Sequence, residues 1–227
     1  MAKKALGIRP RSEAGANARP RAGHLDQGKQ GQRHMARSGS INWPATLLNG
    51  RPRQRADVQF EMRTRSPHEL WLVIVDASAS TRRHHALSDA KGVLAQLFDD
   101  AYRQRARLAL LTASGHTPTW QVQGLKASAG LRQWLDDLGA GGGTPLLAAL
   151  DQAQQWLSVR RKRLPAEQQR LLLVTDGRVK EWTGLPTLDC PGLLIDIERG
   201  PIRLGRARQL AVGLGADYCH IDQLTSG

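Results

Sequence analysis

The chain has 227 residues, 40% of them hydrophobic, with 33 Lys and Arg against 20 Asp and Glu and a net charge of +13. That length suffices for one α/β domain with a full core. Two cysteines exclude a disulfide-stapled scaffold, and no apolar run reaches the roughly 18 residues of a membrane helix. The start of the chain has no apolar region of signal-peptide length. The expected address is the cytoplasm, with Cys190 and Cys219 as small, partly buried thiols. The charge is uneven: residues 1–67 hold 14 basic and 4 acidic side chains, and residues 68–227 hold 19 and 16.

In chain order, residues 1–40 are rich in Arg, Gly, Ala and Gln and are expected to form a basic, disordered tail, because they bury too little to offset ordering entropy. Residues 41–67 form a transitional segment: a short helix within 41–50, then a strand over 56–65 that alternates at Val58, Phe60 and Met62. From residue 68 to 227 the pattern is strand, helix, strand. LWLVIV (70–75) is a buried strand, and 84–104 carries apolar residues at helical spacing. RLALLTA (107–113) is a strand with a more polar hairpin partner at 117–123. Helices follow at 128–138 and 145–159, with Pro145 in the first turn, where a missing N–H costs nothing.

LLLVTDG (171–177) and GLLIDI (192–197) are further strands. A helix over 204–215 closes at Gly215, and ADYCHI (216–221) is the last strand. Arg160 to Arg163 fall at a helix end or in an exposed loop, and Trp134 and Trp156 face a core. Continuously apolar strands alternating with helices imply a mainly parallel sheet, helices on both faces and one antiparallel edge strand. In such sheets, sites form at the carboxyl ends of the strands.

Three loops share that edge. LWLVIV runs into Asp76-Ala77-Ser78-Ala79-Ser80. The second loop is Gly141-Gly142-Gly143-Thr144-Pro145, and the third is Thr175-Asp176-Gly177. A carboxylate and hydroxyls at a strand end are costly to bury without a partner. Asp76, Ser78, Ser80, Thr144 and Asp176 together make an oxygen-only set, suited to Mg²⁺, Mn²⁺ or Ca²⁺ and poorly to Zn²⁺. The competing reading is that Asp76 and the serines only cap the following helix, but a cap does not call for matching polar residues at 144 and 176.

Other chemistries fit less well. The glycine loop lacks the Lys of a phosphate-binding loop. Ser78, His84 or His85, and Asp176 lack a nucleophile elbow. His84 and His85 read as solvent-facing at a helix start. The basic tail has no aromatic interleaving and no nucleic-acid motif, so nucleic acid is the lesser reading of it. Gly200 to Arg203 reads as a candidate partner-facing loop.

D-x-S-x-S after a buried strand, Thr144 after a glycine turn and T-D-G after a later strand resemble the metal-ion-dependent adhesion site of von Willebrand factor type A domains. The resemblance implies a three-layer, Rossmann-like α/β fold. It implies coordination by Ser78, Ser80 and Thr144, with Asp76 and Asp176 near the metal or holding its waters. One position is left for an acidic group of a partner. Ala79 stands where that family usually has Gly, which would matter if the backbone there needs a positive φ.

Within that superfamily, segments 90–111, 139–150, 171–178 and above all IDIERGPIRLGRARQLAVGLGADYCHIDQL (195–224) resemble the C-terminal domain of the D subunit of magnesium chelatase and its cobalt-chelatase relatives. The full-length D subunit begins with an AAA+ domain and an acidic, Pro-rich linker. This chain shows neither and reads as a stand-alone C-terminal domain. The resemblance implies a non-catalytic interaction subunit in tetrapyrrole biosynthesis. Its partners would be an AAA+ ATPase subunit and a large tetrapyrrole-binding subunit, with no membrane involved. The alternative is a general von Willebrand factor A scaffold serving another AAA+ ATPase.

Overall fold

Backbone pairing, more than apolar content, organises the N-terminal part of the chain. In the computed structural model, which describes residues 29–36, 40–66, 68–81, 86–126, 130–179, 184–199 and 203–225, strand β1 (Lys29–Ala36) and the short β2 (Ser40–Ile41) flank β3 (Phe60–Ser66), both antiparallel to it. Lys29–Ala36 falls inside the span expected to be a disordered tail. That expectation weighed side-chain burial alone, whereas β3 offers β1 a ladder of main-chain partners. The rest of the expected tail lies outside the described residues, apart from Ser40 in β2.

Helix α1 (Trp43–Leu48) opens at Asn42, whose Oδ1 accepts the Ala45 N–H at 3.0 Å, with proline in the first turn. Its buried Thr46 hydroxyl donates to Asn42 O at 2.8 Å and accepts from Gln59 N at 3.0 Å, tying the helix to the residue before β3.

Residues from Glu69 onward form a compact unit of their own. Its elements are β4 (Glu69–Asp76), α2 (Ala86–Arg103), β5 (Arg107–Ala113), β6 (Thr119–Lys126), α3 (Gly130–Asp137), α4 (Leu146–Arg163), β7 (Gln168–Thr175), β8 (Gly192–Asp196), α5 (Arg206–Leu214), β9 (Asp217–His220) and α6 (Asp222–Thr225). The sheet order is β6-β5-β4-β7-β8-β9. All neighbours are parallel except the edge strand β6, which is antiparallel to β5.

Alternation along β4 sets the layers. Trp71, Val73 and Val75 pack with Leu94, Leu97 and Phe98 of α2 and with Leu131 and Leu135 of α3. Leu70, Leu72 and Ile74 pack on the other side with Leu146, Leu150 and Leu157 of α4 and Leu210 of α5. Helices therefore cover both faces, and the strands are apolar at nearly every position for that reason. The expected three-layer α/β fold is the observed one.

Smaller expectations divide. Arg160 to Arg163 form the last turn of α4, where cations complement the helix dipole. Arg160 pairs with the buried Glu167 carboxylate and lies 5.1 Å over Trp156. Pro145 precedes the first helical residue of α4 rather than lying within its first turn. Gly215 closes α5 with φ 65°, its N–H turned back to Ala211 and Val212. Cys190 is half-buried, Cys219 is buried, and both are free. His84, His85 and residues 200–202 lie outside the described residues. No helix among the described residues is long and apolar enough to cross a membrane.

Candidate metal centre

Parallel strands end at one edge of a sheet, so their last residues meet. Asp76 is in register with Ala113, and Thr175 with Asp196, which in turn faces His220. Val75 pairs with Val174, which places Asp76 next to Thr175. Asp76, Thr175, Asp196 and His220 thus form one polar row across four neighbouring strands, and all four are buried.

Asp76 is wholly buried. Its Oδ2 accepts the Thr175 hydroxyl at 2.7 Å, and its Oδ1 accepts Ser78 N–H at 3.0 Å. Burial pushes this carboxyl up to about 6. The Thr175 hydrogen bond opposes that shift, and the like charge of Asp176 adds to it. Beyond Asp76 the chain turns tightly: the Thr81 hydroxyl donates to Ser78 O at 2.7 Å, and the Ser78 and Ser80 hydroxyl oxygens converge to 2.9 Å.

The glycine loop is fastened to this turn by two backbone hydrogen bonds, Gly141 N–H to Ala77 O at 2.9 Å and Ala79 N–H to Gly142 O at 3.2 Å. They bring the half-buried Thr144 to the same edge. Gly142 has φ +73°, and a Cβ there would lie 2.7 Å from Gly115 Cα. Only glycine lets this loop close on the β5–β6 turn. Ala79, in contrast, is not in the left-handed region: among the described residues Arg105, at φ 51°, is the only non-glycine with positive φ. The alanine methyl is exposed and leaves the turn unstrained.

Asp176 is buried, and its Oδ1 accepts Arg178 N–H at 3.0 Å. Gly177 between them has φ +68°, and a Cβ there would lie 2.5 Å from Ala207 N, so this turn seats the start of α5. The structure thus gathers Asp76, Ser78, Ser80 and Asp176, with the Thr144 loop fastened beside them. Among the described residues, no three His, Cys, Asp or Glu side chains gather as a metal-binding group. The donor set here is two carboxylates plus hydroxyls. Two buried carboxylates that repel each other, beside paired hydroxyls, match the chemistry of a hard, oxygen-seeking cation.

A second cluster lies beside the first and was not anticipated. The Tyr218 hydroxyl donates to Asp196 Oδ2 at 2.7 Å, and Glu198 N–H to Asp196 Oδ1 at 2.8 Å. Burial raises the Asp196 carboxyl, against both of those bonds, and it raises the Tyr218 phenol as well. Glu198, 2% exposed, takes the Leu204 and Gly205 N–H groups on Oε2 and Arg178 Nη2 on Oε1 at 3.4 Å. His220 Nε2 contacts Glu198 O at 3.1 Å, and its Nδ1 accepts Asp222 N–H at 3.2 Å. The signal in the sequence is faint: Asp196 follows the apolar run GLLI as Asp76 follows LWLVIV, but only the register puts the two in one row.

Comparison with known proteins agrees with the fold. Residues 71–178 match the family described as von Willebrand factor type A domain. An uncharacterised protein of Mycobacterium tuberculosis is 27% identical over 179 residues, covering 74% of this chain and 28% of that protein. The magnesium-chelatase 60 kDa subunit of Rhodobacter capsulatus is 28% identical over 125 residues, covering 55% of this chain and 22% of that subunit. The chain thus spans between about a fifth and somewhat over a quarter of these relatives' lengths. Among solved structures, an aerotolerance-related membrane protein from Bacteroides fragilis superposes with a TM-score of 0.51 at 14% identity, over 70% of this chain and 94% of that one, a likeness of fold. Over residues 71–178 the chain is thus similar to von Willebrand factor type A domains and, over about half its length, to magnesium-chelatase subunits.

Proposed function

We propose that the domain is a metal-dependent protein-interaction module of a chelatase-type assembly. Asp76, Ser78, Ser80, Thr144 and Asp176 would hold Mg²⁺, with Mn²⁺ or Ca²⁺ as substitutes. The observation that carries this reading is the pair of buried carboxylates beside hydroxyls that converge to 2.9 Å. Asp76 has both oxygens engaged by Thr175 and Ser78, which suits it to holding a metal-bound water through its remaining lone pairs. Ser78, Ser80 and Thr144 offer hydroxyl oxygens directly. The bound ion would supply positive charge and one open position for a carboxylate of a partner. Cation occupancy and assembly would then be coupled.

The homology to magnesium-chelatase subunits supports a tetrapyrrole setting. The partners would be an AAA+ ATPase subunit and a large subunit that binds the tetrapyrrole. The ion at this site would be adhesive, distinct from the ion such a complex inserts. Neither ATP hydrolysis nor metal insertion is assigned to this chain alone. The test is capture of the ATPase subunit by the immobilised chain with and without EDTA. Capture lost on chelation and with Asp76→Ala supports the reading, and capture unaffected by both sinks it.

A further inference from the structure

Arg178 stands between the two buried acidic clusters. Its Nε lies 4.0 Å from Asp176 Oδ2, and its Nη2 lies 3.4 Å from Glu198 Oε1. Both carboxylates are nearly inaccessible, with side chains 5% and 2% exposed, while the arginine side chain is 28% exposed. Glu198 in turn gathers the start of α5: its Oε2 accepts Leu204 N–H at 2.9 Å and Gly205 N–H at 3.4 Å. Gly205 caps α5 in the left-handed conformation, and the helix start presses on Gly177, next to Asp176. A continuous polar path therefore runs from Asp176 through Arg178 and Glu198 to the loop that carries exposed Arg203 and Leu204.

We infer that Arg178 is the internal counter-ion of the cation site and couples its occupancy to the 203–205 loop, making that loop part of the partner-facing surface. This rests on the metal reading above. With no cation bound, the guanidinium is shared between Asp176 and Glu198. A divalent ion beside Asp176 takes over that charge and repels the guanidinium, which then moves fully onto Glu198. Glu198, better neutralised, holds the Leu204 and Gly205 amides more firmly. The coupling is reciprocal: a partner that docks on the ordered loop strengthens cation binding by the same factor. Arg178 is a positioning residue here, since it acts on the ion through Asp176 and on the loop through Glu198.

Two variants separate this role from simple structural support. Arg178→Gln removes the competing charge, so Mg²⁺ binds about three- to tenfold tighter. Glu198→Gln releases Arg178 onto Asp176, so Mg²⁺ binds weaker by a similar factor. A merely structural role would loosen the site and weaken binding in both. The experiment pairs calorimetric titration of the full chain with Mg²⁺ and hydrogen exchange at the Leu204 and Gly205 amides. Mg²⁺ should slow exchange there in the natural chain and leave it unchanged in Arg178→Gln. If Mg²⁺ binds but protects those amides equally in both proteins, or if Arg178→Gln weakens binding, the coupling is wrong and the metal reading stands. If the natural chain gives no binding heat and no protection, the metal reading itself fails and takes the coupling with it.

Discussion

The two ends of the polar row hold Asp76 and Asp196 alike, each by one hydroxyl and one amide, and differ in how closely arginines approach the acids beside them. On the β8–β9 side three acidic groups have protein donors. Asp196 is held by Tyr218 and a backbone amide, Glu198 by two amides and Arg178, and Asp222 by Arg199 and Arg203. On the β4–β7 side, Asp76 is held by a hydroxyl and an amide, and the Arg178 guanidinium stands 4.0 Å from Asp176. The difference separates structure from function. Glu198 and Asp222 have arginines within 3.4 Å, whereas Arg178 stands 4.0 Å from Asp176, whose like charge adds to the cost of burying Asp76, an arrangement open to a charge from outside.

The largest expected break in this comparison is Asp76→Asn. It keeps the volume of the side chain and removes its charge. At a Mg²⁺ concentration a hundredfold above the dissociation constant, the natural chain should gain about 2.7 kcal/mol of stability. The variant should gain none, which denaturant melts with and without Mg²⁺ would reveal. Gly142→Ala should follow. Its Cβ would meet the Gly115 backbone at 2.7 Å, and its φ of +73° strains alanine. The expected loss is about 1–3 kcal/mol, accompanied by weaker Mg²⁺ binding because the Thr144 loop is displaced.

Tyr218→Phe tests the other end. It leaves Asp196 Oδ2 without its hydroxyl donor and should cost about 1 kcal/mol. Mg²⁺ affinity should not change. A variant on this side that alters Mg²⁺ binding as strongly as Asp76→Asn would erase the distinction between the two ends.

The gentlest probe is pH. The Asp76 carboxyl is raised from 3.8 to about 6 in the fold. The metal-free fold therefore holds this proton where the unfolded chain has lost it. Its contribution to stability is full below the unfolded value and is lost as pH rises toward about 6. A cation binds the ionised form, so Mg²⁺ affinity should fall about tenfold per pH unit below that value. With EDTA, stability should fall as pH rises across this range, and saturating Mg²⁺ should flatten that dependence.

Much of the fold was legible because the strands are continuously apolar and the helices carry regular spacing. LWLVIV and RLALLTA can only be central strands, and the more polar TWQVQ fits an edge. The site was legible where residues adjacent in sequence are adjacent in space, as in Asp76 to Ser80. Arg178 and Glu198 were missed because their meeting depends on how far β7 and β8 run before turning, which parallel register fixes and local pattern does not. Strand β1 was missed because KQGQRHMA has almost no apolar side chains, and its pairing with β3 is a main-chain matter. The four-residue α6 is too short to leave a periodic signal.

The most direct test of the central claim is a Mn²⁺ titration of the full chain followed by electron paramagnetic resonance, with Mg²⁺ as competitor. One Mn²⁺ should bind per chain, be displaced by Mg²⁺, and be lost in Asp76→Asn and in the double substitution Ser78→Ala with Ser80→Ala. Mn²⁺ that does not bind, or that binds equally well to these variants, would contradict the assignment of this edge as a cation site.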